Sequence, residues 1–128
     1  MEVVLFPTTP IALLRRIKFQ LINCMSEKET FRSITQGEQP VLVDFTATWC
    51  GPCKTMAPIL EQLHMQMGSS LRIIKIDVDK NAALATEMQI SGVPTLILYK
   101  QGKILWRQSG VVPLPALQKT IASHLAAS

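Results

Sequence analysis

The sequence has little cysteine, few aromatic residues and no long apolar run. Its 128 residues include three cysteines, too few to hold a small scaffold together by disulfides. Aromatic residues make up 5%, and the lysines and arginines form no stripe despite a formal net charge of +4, so nucleic-acid binding is not expected. No stretch reaches the ~18 apolar residues of a membrane-spanning helix, so a membrane protein is not expected either.

The composition favours one folded domain. Hydrophobic residues make up 48% of the chain and charged residues 17%, a balance typical of globular proteins. Residues 1–24 do not fit this pattern, because Pro7 and Pro10 interrupt any early element. We expect an N-terminal extension over 1–24, either poorly ordered or forming a short edge strand at 17–22, and one domain over 25–128. Met25 offers a natural domain start.

The order of charges near the N-terminus bears on location. Arg15, Arg16 and Lys18 follow the apolar segment 1–14, whereas a secretory signal places its positive charges before the apolar segment. We therefore expect a cytoplasmic protein. The alternative is an envelope-exposed protein that uses residues 1–24 as a membrane or export signal.

The rest of the chain predicts alternating helices and strands. Ser26 and Glu29 form a capping box that begins the first helix, and Pro58 is expected to kink the second. The predicted elements are a helix over 27–36, a strand over 41–46, a helix from about 51 to 67, a strand over 71–76, a helix over 80–89, strands over 95–100 and 103–108, and a last amphipathic helix carrying Leu117, Ile121 and Leu125. This order predicts an α/β fold with a central mixed sheet and helices on both faces.

Residues 49–54 read Trp-Cys-Gly-Pro-Cys-Lys, which places two cysteines at the start of the second helix. A helix N-terminus favours negative charge, so it lowers the pKa of Cys50 and promotes the thiolate that attacks disulfides. Cys53, one turn later, is expected to be more buried and to resolve the mixed disulfide formed on Cys50. Gly51 and Pro52 set the approach of the two sulfurs. The pair therefore predicts thiol–disulfide exchange.

A Cys-x-x-Cys pair can also be half of a zinc site. Zinc needs two further ligands, and Cys24, His64 and His124 have no fitting spacing, so no metal is expected. Cys24 is then an extra thiol. We expect it to be inert, with mixed-disulfide formation as the alternative.

Asp44 interrupts an apolar strand in which a charge is costly to bury. It lies six residues before Cys50 and is expected beneath the cysteine pair, where a carboxyl with a raised pKa can relay a proton to or from the resolving thiol. The alternative is that Asp44 only accepts hydrogen bonds from nearby amides. Lys75, on the next strand, is a candidate to pair with Asp44 and tune it, or else an ordinary solvated lysine.

The residues alone allow two interpretations at each of two further positions. Trp49 either shields the cysteines and offers an apolar contact surface, or belongs to the core. The Val93-Pro94 bond precedes a strand, where a cis peptide would give a tight turn. Because only about 5% of X-Pro bonds are cis, the residues by themselves favour trans.

From about residue 26 to residue 125 the sequence resembles the thioredoxin family. The matching pieces occur in family order and at family spacing: they are residues 41–45, 49–54, 57–58, 75–79, 92–95, 100–102 and Gly110. The hexapeptide, with an aspartate upstream and Gly-Val-Pro-Thr downstream, is highly specific.

This resemblance implies a thioredoxin fold and protein-disulfide reductase activity. The redox centre would be the Cys50–Cys53 dithiol/disulfide pair, with no bound cofactor, recycled by an NADPH-dependent thioredoxin reductase and acting on disulfide-containing proteins as a monomer. The resemblance also implies that Pro94 is cis and packs against the cysteine pair. The implied substrate-docking surface consists of Trp49, Gly51, Pro52, Gly92, Val93, Pro94 and Gly110.

The chain also departs from the family. Thr46 stands where many members carry an aromatic residue, so the site is expected to be more open or polar. The net positive charge differs from the acidic balance common in the family. Gly-Pro between the cysteines is typical of reducing members. A hypothesis from another class is a binding module, in which the protein is an accessory subunit and its sulfur chemistry is incidental.

Overall fold

A computed structural model describes Val4–Leu5 and residues 30–128. The elements of these described ranges are β1 (Val4–Leu5), α1 (Phe31–Thr35), β2 (Val41–Thr46), α2 (Gly51–Met67), β3 (Arg72–Asp77), α3 (Ala82–Glu87), β4 (Thr95–Lys100), β5 (Lys103–Ser109) and α4 (Leu114–Ala127). The predicted bounds of β2 and β4 and the end of α2 are confirmed. The capping box at Ser26, the edge strand at 17–22 and Cys24 lie outside the described residues.

The strands form one mixed sheet in the order β1-β3-β2-β4-β5. Strands β2 and β3 are parallel, as expected for neighbours joined by the helix α2, while β4 and β5 are added antiparallel. At the other edge β1 pairs antiparallel with β3, with Val4 opposite Lys75 and Leu5 opposite Ile74. The sequence predicts no strand at residues 4–5, so this edge strand is an addition to the expected sheet. The predicted mixed sheet is confirmed.

Helices cover both faces of the sheet, as predicted. On one face α2 and α4 pack on the strands, and the buried cluster there includes Leu42, Met56, Leu60, Leu63, Ile73, Leu96, Leu98, Leu117 and Ile121. On the other face α1 and the α3 region pack on Val41, Val43, Phe45, Ile74, Ile76, Ile97 and Tyr99. Side chains alternate along a strand, so Asp44 shares a face with Leu42 and lies under α2.

The residues at the start of α1 and of α2 favour the positions at which these helices begin. Thr30 caps α1, because its hydroxyl oxygen accepts from the Ser33 N–H at 3.1 Å while the Ser33 hydroxyl oxygen accepts from the Thr30 N–H at 3.1 Å. Helix α2 begins with Pro52 in its first turn and continues through Pro58 to Met67. Its unbroken length joins the cysteine motif at one end to the core at the other.

Candidate active site

Cys50 and Cys53 form a disulfide at the start of α2, with their Cα atoms 5.3 Å apart. Cys50 is the N-cap of the helix, with extended backbone at φ −90° and ψ 115°. Its Sγ accepts a hydrogen bond from the Cys53 N–H at 3.1 Å. In the dithiol form this N–H and the helix dipole favour negative charge on the Cys50 sulfur, so the geometry supports the predicted thiolate there.

Both cysteines are buried in the disulfide form. Cys50 is 3% exposed and Cys53 is 6% exposed, so the expectation that Cys53 would be the more buried residue is wrong for this state. The reason is the loop before β4, which lies against Cys50: the Val93 carbonyl oxygen is 3.5 Å from the Cys50 Sγ. Ala47 and Val78 complete the packing around the pair.

The Val93-Pro94 peptide is cis, as the family resemblance implied and against the trans bond that the residues alone favoured. Gly110, directly after β5, restrains the loop before β4, because its N–H donates to the Pro94 carbonyl oxygen at 2.8 Å. Gly110 has a φ of 91°, a conformation that glycine adopts without strain. The structure thus brings Val93, Pro94 and Gly110 together, and Val93 contacts the cysteine pair.

Trp49 lies on the surface, with 69% of its area exposed, so the interpretation of Trp49 as a core residue is wrong. Its indole Nε1–H donates to the Asp79 Oδ2 at 2.8 Å, which anchors the ring beside the cysteines. Asp79 is itself positioned by the Asp77 carboxylate, whose Oδ1 accepts from the Asp79 N–H at 2.8 Å. This role of Asp79 has no signal in the sequence, since only the fold brings positions 49 and 79 together.

Asp44 is almost completely buried, with 1% of its area exposed. Burial raises the pKa of Asp44 from 3.8 to about 6, and the positive charge of Lys75 partly opposes that rise. Lys75 is the direct cross-strand neighbour of Asp44 on β3. The Asp44 Oδ1 has no hydrogen-bond partner within the described part of the chain, which weighs against a carboxylate that only accepts from nearby amides.

An open cavity of about 270 Å³ lies beside Cys53 and Lys75. Its lining includes Thr46, Thr48, Cys53, Lys54, Lys75 and Lys80. Cys53, Lys75 and Thr46 therefore face one space. Among residues 4–5 and 30–128, no group of three or more His, Cys, Asp or Glu side chains is placed to hold a metal ion. No helix in the same ranges is long and apolar enough to cross a membrane.

A redox-active cysteine pair at a helix N-terminus, facing a cis-proline loop on a mixed sheet, defines a dithiol–disulfide oxidoreductase. Comparison with known proteins agrees with this class. The thioredoxin family model matches residues 22–123, and the chain belongs to the thioredoxin family.

Individual relatives support the family assignment. A thioredoxin-like protein of Synechocystis is 47% identical over 91 residues, which cover 68% of this chain and 87% of that protein. Thioredoxin of Bacillus subtilis is 44% identical over 93 residues, covering 73% and 89%. A chloroplastic thioredoxin Y of rice is 40% identical over 108 residues, covering 81% of this chain but 64% of the rice protein.

A solved structure also matches the fold. It comes from a study of thiol resolution in yeast mitochondrial 1-Cys peroxiredoxin by the glutathione and thioredoxin systems, and it aligns with a TM-score of 0.67 at 35% identity. The alignment covers 73% of this chain and 86% of that one.

The buried carboxyl predicts a specific pH dependence of stability. A pKa raised on folding means that the native state binds the proton more tightly, so the free energy of unfolding falls as pH rises from about 4 to about 6. The loss is about 3 kcal/mol. Asp44→Asn removes the titrating group, so we expect its stability advantage over the wild type to grow by that amount between about pH 3 and about pH 7. Denaturant unfolding of the oxidised proteins measures it.

Glu61→Gln is the matched control, because Glu61 is an exposed carboxylate on α2. This variant should follow the wild-type pH profile. If Asp44→Asn also followed the wild-type profile, the shifted pKa of Asp44 would be refuted.

Proposed function

We propose that the protein is a protein-disulfide reductase. The observation that best supports this function is the position of the Cys50 Sγ at the N-cap of α2, where the sulfur accepts a hydrogen bond from the Cys53 N–H. In the dithiol state the Cys50 thiolate attacks one sulfur of a substrate disulfide, forms a mixed disulfide and expels the other substrate sulfur as a thiolate. Cys53 then attacks the Cys50 Sγ, closes the Cys50–Cys53 disulfide and releases the second substrate thiol, so two electrons pass to the substrate.

Asp44 is the proton relay in this scheme. The attack by Cys53 requires that its thiol lose a proton, and a carboxylate with a pKa of about 6 is ionised and able to accept it at neutral pH. The cavity that Cys53 shares with Lys75, the cross-strand neighbour of Asp44, supports a water-mediated path from the Cys53 thiol toward the carboxyl. Lys75 tunes Asp44, since its positive charge lowers the carboxyl pKa.

Disulfide-containing proteins dock on the surface around the pair. Trp49, Gly51, Pro52 and Gly92 are exposed there, beside the partly exposed Val93. Pro94 is buried and Gly110 is half-buried, and the 2.8 Å bond from the Gly110 N–H to the Pro94 carbonyl oxygen supports this docking surface from below. Val111, 38% exposed and next in the chain, adds apolar area that the sequence analysis did not include. The protein binds substrates as a monomer, through exposed backbone and apolar contact.

The Cys50–Cys53 disulfide needs a two-electron donor to return to the dithiol. We assign this step to a thioredoxin reductase that takes its electrons from NADPH, with no cofactor bound to this chain. One relative supports the pairing: a Mycobacterium leprae protein named a bifunctional thioredoxin reductase/thioredoxin is 38% identical over 98 residues, which are 21% of that protein.

For location we propose the cytoplasm, on the charge order of the N-terminal segment. The relatives include a chloroplastic plant protein as well as bacterial proteins, so this proposal does not rest on them. Cell fractionation distinguishes the alternatives. Recovery in the membrane or envelope fraction would favour an export or membrane role for residues 1–24.

The assigned roles of the cysteines predict opposite behaviour for two serine variants. Cys50→Ser should abolish insulin-disulfide reduction driven by NADPH and thioredoxin reductase, because no thiolate attacks the substrate. Cys53→Ser should also stop turnover but accumulate substrate as a covalent mixed disulfide, because nothing resolves it. Turnover assays and non-reducing electrophoresis measure the two effects.

Cys24→Ser is the control, and we expect it to retain turnover because Cys24 is assigned as inert. Retained reductase rates in Cys50→Ser would overturn the assignment of roles. A folded wild type with three titratable thiols but no turnover would instead favour the binding-module hypothesis. That hypothesis predicts a partner that binds the Cys50→Ser/Cys53→Ser double variant with unchanged affinity.

The proposed relay predicts that Asp44→Asn affects one step only. Attack by Cys50 on the substrate should keep its rate, while resolution by Cys53 should slow on the order of 100-fold, the low end of general acid–base contributions. In the wild type, resolution should slow as pH falls below about 6, where Asp44 becomes protonated. Acid quenching during a single turnover measures the lifetime of the mixed disulfide.

Glu61→Gln again provides a carboxyl-to-amide control on the surface of α2 and should leave both steps unchanged. An unaltered mixed-disulfide lifetime in Asp44→Asn would reject the relay and leave Asp44 with a structural role.

A further inference from the structure

The docking loop is reached from α3 through a short segment, Met88–Ile90, with a defined backbone. Helix α3 ends in a Schellman motif: the Ile90 N–H donates to the Ala85 carbonyl at 2.9 Å and the Gln89 N–H to the Thr86 carbonyl at 3.0 Å. Gln89 has a φ of 55°, the left-handed conformation in which such motifs usually place glycine. A non-glycine residue there is strained, so the segment requires support from outside the helix.

Arg107 on β5 gives that support. Its Nη1 donates to the Met88 carbonyl oxygen at 2.6 Å and its Nη2 to the Gln89 carbonyl oxygen at 2.7 Å. The guanidinium group thus binds two consecutive carbonyls, and its positive charge lies at the negative C-terminal end of α3. Tyr99 adds a second contact to the segment, because its hydroxyl lies 3.6 Å from the Met88 Sδ.

The segment leads directly into the docking loop. Three residues after Gln89 the chain reaches Gly92, then Val93, whose carbonyl oxygen lies 3.5 Å from the Cys50 Sγ. A shift at Gln89 therefore moves the backbone that a protein substrate would contact. The hydrogen bond that favours the Cys50 thiolate does not depend on this segment, because the Cys53 N–H that donates it lies within α2.

We propose that Arg107 is a positioning residue for protein substrates, which holds the docking loop in register with Cys50 by binding the Met88 and Gln89 carbonyls. This inference rests on the proposed reductase function. The proposed role of Arg107 predicts different effects on two kinds of substrate. A protein disulfide needs the docking loop and the sulfur together, whereas a small disulfide such as DTNB needs only the sulfur.

The test compares second-order rate constants of the fully reduced protein with insulin and with DTNB, followed by stopped flow. No reductase is present, so docking of a second enzyme cannot contribute. We expect Arg107→Gln to lower the rate constant for insulin roughly 10-fold, because a displaced docking loop orients the substrate disulfide less well toward Cys50. The rate constant for DTNB and the pH dependence of Cys50 reactivity should not change.

Lys103→Gln is the matched control, because it removes one exposed positive charge from the same strand away from the Met88–Ile90 segment. It should react like the wild type with both disulfides. Arg107→Lys keeps the positive charge but cannot donate to both carbonyls from one planar group, so we expect an intermediate decrease in the rate constant with insulin. This variant also provides the test if Arg107→Gln does not fold.

Equal loss with insulin and DTNB, or no loss with insulin, would overturn the positioning role. A loss in Lys103→Gln as large as in Arg107→Gln would reduce the effect to surface charge and overturn the proposal as well. A wild type that reduces insulin no faster than free dithiothreitol would instead refute the reductase function itself, and with it the inference.

Discussion

The chemistry of the site depends on where α2 begins. The first N–H groups of any helix have no partner within the helix, and here the Cys50 sulfur accepts one of them from Cys53. The cysteine is thus both the cap of the helix and the atom that must carry negative charge. Pro52 in the first turn is compatible with this start, because it has no N–H to satisfy. One local arrangement therefore sets the position of the sulfur and its preference for the thiolate.

The same region contains a group that opposes stability. Asp44 is buried under α2, and its pKa of about 6 means that the ionised form destabilises the native state at neutral pH. A leucine at this position would extend the apolar cluster around Leu42 and Leu96. A destabilising carboxyl in the core is the pattern expected where function conflicts with packing. The core on both faces of the sheet supplies the stability that tolerates it.

Much of this fold could be predicted because its signals are local. The run 41–46 is apolar and β-branched, and Gly68 ends a long helical pattern, so β2 and α2 have the predicted limits. Features that depend on distant contacts were missed: Asp79 at Trp49, and the loop that buries Cys50 as deeply as Cys53. The cis peptide before Pro94 came only from the resemblance, because local preference favours trans.

The docking loop shows how remote groups preorganise a site. On its C-terminal side the Gly110 N–H binds the Pro94 carbonyl, and on its N-terminal side Arg107 binds the carbonyls of Met88 and Gln89. Both restraints come from β5 and the residue that follows it. Since β5 pairs with β4, the strand that the loop enters, both restraints come from the hairpin that follows the loop. Fixing a loop before binding reduces the entropy lost on binding, so these restraints favour substrate docking, while the N–H that favours the Cys50 thiolate comes from α2.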